Sequence, residues 1–305
     1  MLYKSVTELI GRTPLFEPLR LEEKLSLRSR LLLKLERSNP TGSAKDRAVL
    51  GIIEKAEKEG RIGNGSVIIE PTSGNTGVAL AAIGASRGYK VIIVMPDSMS
   101  IERRKLIAAY GAELVLTPGK EGMKGALNRA EELKASIPGS MILGQFDDTG
   151  NADAHYRTTG PEIWEDSGHS LDMFIAGVGT GGTITGCGRF LKEKKSSIEI
   201  VAAEPFDSPL LSEGRSGAHG IQGIGANFIP SVLDRDIIDR IMTVKTEDAY
   251  EAARLLARTE GLLCGISSGA ALSVAVDEAK KHEGLTIAVI LPDTGERYLS
   301  TDFWT

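Results

Sequence analysis

Short apolar runs alternate with longer amphipathic segments along almost the whole chain, and this alternation restricts the fold more than any other feature. LLLKLE (31–36), VIIE (67–70), VIIVM (91–95), ELVLT (113–117), MIL (141–143), MFIAG (173–177), IEIVAAE (198–204) and TIAVIL (286–291) read as strands. Several are apolar on both faces, the pattern of a parallel sheet covered by helices on both sides. Between them, 45–58, 75–87, 101–110, 121–136, 183–195, 247–260 and 269–282 have helical periodicity. The repeated handover predicts an α/β architecture with mainly parallel sheets. The alternation weakens twice. Polar 145–160 reads as loop, and 205–235, rich in Gly, Pro and Ser, reads as a long functional loop. A boundary near 150 divides the chain into an N-terminal domain, 1–150, and a C-terminal domain, 151–305. In such folds ligands sit where strands hand over to helices.

Composition narrows the function. With 305 residues, 41% hydrophobic and 25% charged, the chain can build full cores without staples. A net charge of −5 gives no basic excess for phosphate backbones, so nucleic acid is not an expected partner. No apolar run approaches a membrane span, and the start, MLYKSVTELIGRTP, lacks the pattern of a signal peptide. The four His and two Cys residues show no metal-ligand spacing, so no metal is expected. Cys187 and Cys264 read as buried reduced thiols, which suits a cytoplasmic chain.

Four stretches carry candidate chemistry. SNPTGSAKDRA (38–48) sets Lys45 after a Gly- and Ser-rich turn, at the start of a helix. A lysine is ordinarily a solvated surface residue, so it needs partners to mean more. VIIEPTSGNTGVALA (67–81) places Thr72, Ser73, Gly74, Asn75 and Thr76 between a strand and a helix, where hydroxyls and free N–H groups would grip a carboxylate. Helix capping alone would also account for these residue types. FIAGVGTGGTITG (174–186) offers Gly179, Thr180, Gly181, Gly182 and Thr183 as an anion nest. Its Gly177, Gly179 and Gly182 also match GxGxxG, with Glu204 at the distance of a ribose-binding acid, so a dinucleotide site is a rival. LLCGISSGAALSVA (262–275) brings Ser267 and Ser268 to a helix start, as caps or as a neutral hydroxyl for a heterocyclic nitrogen. A lysine, a phosphate cup, a carboxylate clamp and a hydroxyl together suit pyridoxal 5′-phosphate held through an amine.

NPTGSAKDR, PTSGNTG, TTGPEIWED, GVGTGGTITG, IQGIGANFIP and GISSGAA, in this order from IGRTPL to GERYLS, resemble the cysteine synthase (O-acetylserine sulfhydrylase) family, enzymes of the tryptophan-synthase-β-like fold. The resemblance implies two α/β domains, each a mainly parallel twisted sheet covered by helices, with the cofactor in the cleft between them. An early segment would cross to the other domain, and 91–135 would move over the cleft. Lys45 would be the Schiff-base lysine and later the general base. Asn75 would meet the cofactor's 3′-oxygen, Gly179 to Thr183 its phosphate, and Ser267 its pyridine nitrogen. Thr72, Ser73, Gly74, Thr76, Gln145 and Gly223 would bind substrate. The implied reaction replaces the acetoxy group of O-acetyl-L-serine by sulfide through an α-aminoacrylate, giving L-cysteine and acetate. The implied protein is a cytoplasmic homodimer that can dock the C-terminal tail of serine acetyltransferase.

Several positions lean instead towards the related cystathionine β-synthases: NADAHYRTT (151–159), FIPSVLDR (228–235) and LLCG (262–265). Asn227 stands where cysteine synthases tend to have Gly, and its amide could recognise the amino group of a second amino-acid nucleophile; a surface turn is the plain alternative. Gln222 stands where O-phosphoserine-using relatives tend to have Arg, which favours an acetyl ester. No C-terminal regulatory domain and no haem-binding extension is expected. Two further readings stay open: β-replacement on serine or cysteine with a thiol, giving cystathionine or lanthionine and, from cysteine, releasing hydrogen sulfide, and a non-catalytic binding partner of serine acetyltransferase.

Overall fold

A computed structural model describes residues 2–304. In chain order the elements are β1 (Leu15–Phe16), α1 (Leu19–Leu25) and β2 (Arg30–Leu35). Then come α2 (Lys45–Lys58), β3 (Val67–Pro71), α3 (Asn75–Arg87), β4 (Lys90–Pro96), α4 (Ile101–Ala109), β5 (Glu113–Thr117), α5 (Gly122–Ser136) and β6 (Met141–Ile142). The chain continues with α6 (Gly150–Arg157), α7 (Thr159–Asp166), β7 (Met173–Gly177), α8 (Gly182–Lys194), β8 (Glu199–Pro205) and α9 (Leu210–Glu213). It ends with β9 (Arg240–Val244), α10 (Thr246–Glu260), α11 (Ile266–Lys281) and β10 (Thr286–Leu291). Two compact units result: one of Met1–Ile10 and Lys45–Asn151, the other of Gly11–Ala44 and Ala152–Thr305.

The first unit holds a four-stranded parallel sheet, β5-β4-β3-β6. β3 and β4 are buried on both faces, which is why they read as unbroken apolar runs, whereas the edge strand β5 is largely half-buried or exposed. Ile68, Val91, Ile93 and Met95 pack with Val49, Ile52 and Ile53 of α2 and with α3. Ile69, Ile92 and Val94 point the other way, onto Ala126 and Ala130 of α5. The second unit holds six strands, β1-β2-β10-β7-β8-β9, parallel except for β1 against β2. Here Leu33, Ile175, Val201 and Val289 face α11, while Leu32, Phe174, Ile200 and Ala288 face Ile184 and Leu191 of α8. A two-residue period thus feeds two separate cores.

The expected α/β class with mainly parallel, helix-covered sheets is the observed one. Local expectations fail where burial is not apolar. The stretch 145–160, read as loop, contains α6 and the start of α7. The buried side chains there are Asn151, Ala152, Ala154, His155 and Thr159, a small and polar set that no hydrophobic period reveals. β9 was also hidden: it is an edge strand bonded to β8 alone and mostly half-buried. Both free cysteines are buried, and desolvation pushes the Cys264 thiol well above its ordinary pKa. Among the described residues, no helix is long and apolar enough to cross a membrane.

Candidate active site

Lys45 is the first residue of α2 and is half-buried. The loop before it is pinned within the second unit. Asn39 donates to the Glu36 carboxylate at 2.9 Å, Gly42 turns at φ +79°, and Ala44 N–H donates to Pro292 O at 2.8 Å. Arg297 donates to Thr41 O, and Ser43 bridges Asp293. A lysine backbone delivered by so anchored a loop loses little further freedom on taking a ligand.

In the first unit, β3 ends at Pro71 and α3 starts at Asn75 with Gly74 as N-cap. No side chain caps this helix, so the positive end of its dipole faces the turn. Thr72 N–H donates to Val94 O at 3.0 Å, which fixes the turn to β4. Ser73, Gly74 and Asn75 are half-buried, and Thr72 and Thr76 are buried. Thr76 Oγ1 donates to Gln145 Oε1 at 2.7 Å, which joins two predicted substrate residues that lie far apart in sequence. Gln145 Nε2 in turn donates to Glu70 Oε1 at 3.1 Å. Arg103 of α4 donates to Ser73 O at 3.1 Å.

In the second unit, α8 starts at Gly182 behind Gly181, a left-handed N-cap at φ +83° without a side-chain cap. Gly179 admits no side chain: a Cβ there would meet Gly223 O at 2.4 Å. Gly225 N–H donates to Val178 O at 3.0 Å, so the IQGIG loop lies directly on the glycine loop. Gly223, at φ +100°, lies in turn against the Ser267 hydroxyl. Ser267 is buried at the start of α11 behind Gly265, again without a side-chain cap. Its neighbour Ser268 is fully buried, with Oγ 3.5 Å from Asp293 O. Gly179, Gly223 and Ser267 are therefore one cluster.

Three residues escaped the sequence reading. Glu70 and Arg103 stand behind the 72–76 turn. His155 stands behind the glycine loop, with Nε2 3.1 Å from Thr183 Oγ1 and Nδ1 2.8 Å from Thr159 Oγ1. Gln145 lies 75 residues from Glu70, Ser73 lies 30 from Arg103 and Thr183 lies 28 from His155, so no local motif marks these links.

The dinucleotide alternative loses its acid. The Glu204 carboxylate accepts from Leu211 N at 2.9 Å and Ser212 N at 3.0 Å, and also from the Ser212 hydroxyl. It closes the start of α9, with 2% exposure, and is not presented to a ribose. Asn227 and Gln222 lie on the exposed part of the 221–229 loop. Asn227 has φ +62°, which Asn tolerates better than most residues, and its Oδ1 accepts from Ser208 Oγ at 2.8 Å. Among the described residues, no group of His, Cys, Asp and Glu could hold a metal ion.

Residues 6–293 match the family model described as pyridoxal-phosphate dependent enzyme. A cysteine synthase of Staphylococcus aureus (strain Mu50 / ATCC 700699) is 48% identical over 303 residues, covering 99% of this chain and 97% of that protein. The crystal structure of O-acetyl serine sulfhydrylase isoform 3 from Entamoeba histolytica is similar with a TM-score of 0.96 and 45% identity, over 100% of this chain and 92% of that one. That of a hydrogen sulfide-producing enzyme from Fusobacterium nucleatum has a TM-score of 0.92 and 46% identity, over 98% and 100%.

Proposed function

The chain belongs to the family of pyridoxal-phosphate dependent enzymes, and on that premise we propose that it makes L-cysteine and acetate from O-acetyl-L-serine and sulfide. One observation carries the reading. Three helices, α3, α8 and α11, open on glycine N-caps without side-chain caps, in a chain similar over 99% of its length to a cysteine synthase.

The residues fit the cofactor. A phosphate needs donors and no carboxylate, and the 179–183 loop offers Gly179 and Gly181 N–H groups with the Thr180 and Thr183 hydroxyls, while Gly182 N–H donates to Thr180 Oγ1 at 3.4 Å and would turn to the anion. The cradle at Gly179 is one that a Cβ would fill. For Thr183 to donate to phosphate, its oxygen must accept from His155, which sets the imidazole proton on Nε2 and lets Thr159 donate to Nδ1. Asn75 is assigned to the 3′-oxygen, Ser267 to the pyridine nitrogen, and Lys45 to covalent attachment. A serine hydroxyl hydrogen-bonds that nitrogen without charging it. When bound, the cofactor supplies a sink for the electron pair left at Cα.

The remaining steps belong to the chain. Thr72, Ser73, Gly74, Thr76, Gln145 and Gly223 hold the amino-acid substrate, with its carboxylate on the uncapped start of α3. The substrate amine displaces Lys45 from its covalent link, the freed Nζ takes the Cα proton, acetate leaves from Cβ, and sulfide adds there. The 91–135 segment closes over the bound carboxylate and excludes water, a motion supported by the Arg103–Ser73 link between α4 and the turn. The working form is a cytoplasmic homodimer, supported by the exposed Ile101, Leu106, Tyr110 and Leu127, which a second copy would cover. A serine acetyltransferase C-terminal tail would use the same carboxylate turn.

A second reading takes serine or cysteine as substrate and a thiol as nucleophile. The 46% identity to a hydrogen sulfide-producing enzyme favours it, as does Asn227, whose exposed amide nitrogen stays a donor while Ser208 engages its oxygen. Borohydride reduction of the holoenzyme followed by peptide mass spectrometry is expected to find the cofactor on Lys45, with Lys45→Ala losing the label and turnover. A label elsewhere overturns the site. Separate turnover assays with O-acetylserine, serine and cysteine decide between the readings: faster reaction of serine or cysteine replaces the first with the second.

A further inference from the structure

Glu70 is an acid in the middle of a hydrophobic sheet. It is the fourth residue of β3, opposite Ile93 of β4, and is 2% exposed. Burial pushes its carboxyl up to about 7, and the charged group acting on it, Asp147, has the same sign. No ion pair therefore explains an acid that is unfavourable to bury. Its hydrogen bonds do. One oxygen accepts from Gly144 N–H at 3.1 Å and the other from Gln145 Nε2 at 3.1 Å. The Gln145 main-chain N–H also acts on this carboxylate as a donor, while the Gln145 carbonyl accepts from Asn151 Nδ2 at 2.9 Å.

Above about pH 7 the carboxylate is ionised and only accepts, so it then faces only the nitrogen end of the Gln145 amide. The oxygen end is then committed to Thr76, whose hydroxyl proton it takes at 2.7 Å. Of the two Gln145 N–H groups, one serves Glu70 and the other remains a donor. We propose that Glu70 is a positioning residue: it locks the Gln145 amide in one orientation, so that this side chain meets the substrate carboxylate with an N–H and never with its oxygen. The inference rests on the reading of 72–76 and Gln145 as the carboxylate site.

In Glu70→Gln the new amide keeps its oxygen on Gly144 N–H and turns its nitrogen to Gln145. Two nitrogens cannot face each other, so the Gln145 amide turns over. Glu70→Met removes the acceptor altogether at similar size. The experiment prepares both variants, Gln145→Ala and the double variant as holoenzymes. It measures cofactor content, kcat and KM for O-acetylserine, and the dissociation constant of an unreactive L-amino acid. Loss of one hydrogen bond to a charged group predicts about tenfold rises in KM and in the dissociation constant for Glu70→Gln and Glu70→Met. The prediction holds kcat within about twofold and cofactor content unchanged. In the Gln145→Ala background the Glu70 substitutions are expected to add nothing. An unchanged KM in Glu70→Gln, or the same rise with and without Gln145, overturns the proposal; so does failure of both Glu70 variants to fold, which would assign the acid to stability. If Gln145→Ala itself leaves KM and amino-acid affinity unchanged, the carboxylate-site reading falls instead.

Discussion

The 72–76 turn of the first unit and the 179–183 turn of the second use the same plan with opposite polarity. Each follows a buried parallel strand, each opens a helix behind a glycine, and each places a threonine hydroxyl beside a buried polar partner. In the first, Thr76 gives its proton to the Gln145 oxygen, and an acid stands behind the amide. In the second, Thr183 faces His155, whose Nε2 can donate and leave the hydroxyl proton for a phosphate. The glycines differ too. Gly179 is hemmed in by the Gly223 carbonyl, whereas a Cβ at Gly74 would meet nothing within 4 Å. One turn is shaped by side-chain hydrogen bonds and the other by backbone packing.

Substitutions can break this contrast. Gly179→Ala is expected to weaken pyridoxal phosphate binding by about 100-fold or more, because the methyl group must displace a backbone carbonyl; cofactor retention on dialysis measures it. The acid predicts a pH signature in the first unit alone. The Glu70 carboxyl titrates near 7 in the fold against an ordinary 4.5, so its contribution to stability is whole below about 4.5 and is lost as pH rises through 7. Its full loss amounts to about 3 kcal/mol at most. Denaturant unfolding between pH 5 and 8 should show this decline in the wild type and a flatter profile in Glu70→Gln. Thr159→Val removes the hydroxyl 2.8 Å from His155 Nδ1, and about a fivefold loss of cofactor affinity is expected, with KM for the amino acid unchanged. Gly74→Ala should be the mildest, within about twofold in KM, because its φ of −115° and open surroundings accept a methyl group.

Much of the fold was legible because its signals are local. β5, β7 and β10 fall on the very residues of their apolar runs, and α2 and α3 on theirs. Strands buried on two faces and helices buried on one leave periods that any window of the chain displays. α6 left no such trace, since its inward face is built from Asn, Ala and His. The candidate residues were legible in the same way, as turn chemistry at strand–helix handovers: Lys45, the 72–76 turn, the glycine loop and Ser267.

The amino-acid sequence by itself determined the alternation of strands and helices and the turns on which the candidate groups stand, because both are set by residues close together in the chain. Only the tertiary structure decided what each group is bonded to. It joined Gln145 to Thr76 and Glu70, laid Gly223 on Gly179 and Ser267, set His155 behind Thr183, and took Glu204 out of contention as a ribose ligand by turning it onto α9. Those pairings span up to 75 residues, and hydrogen-bond polarity exists only once two partners meet within about 3 Å.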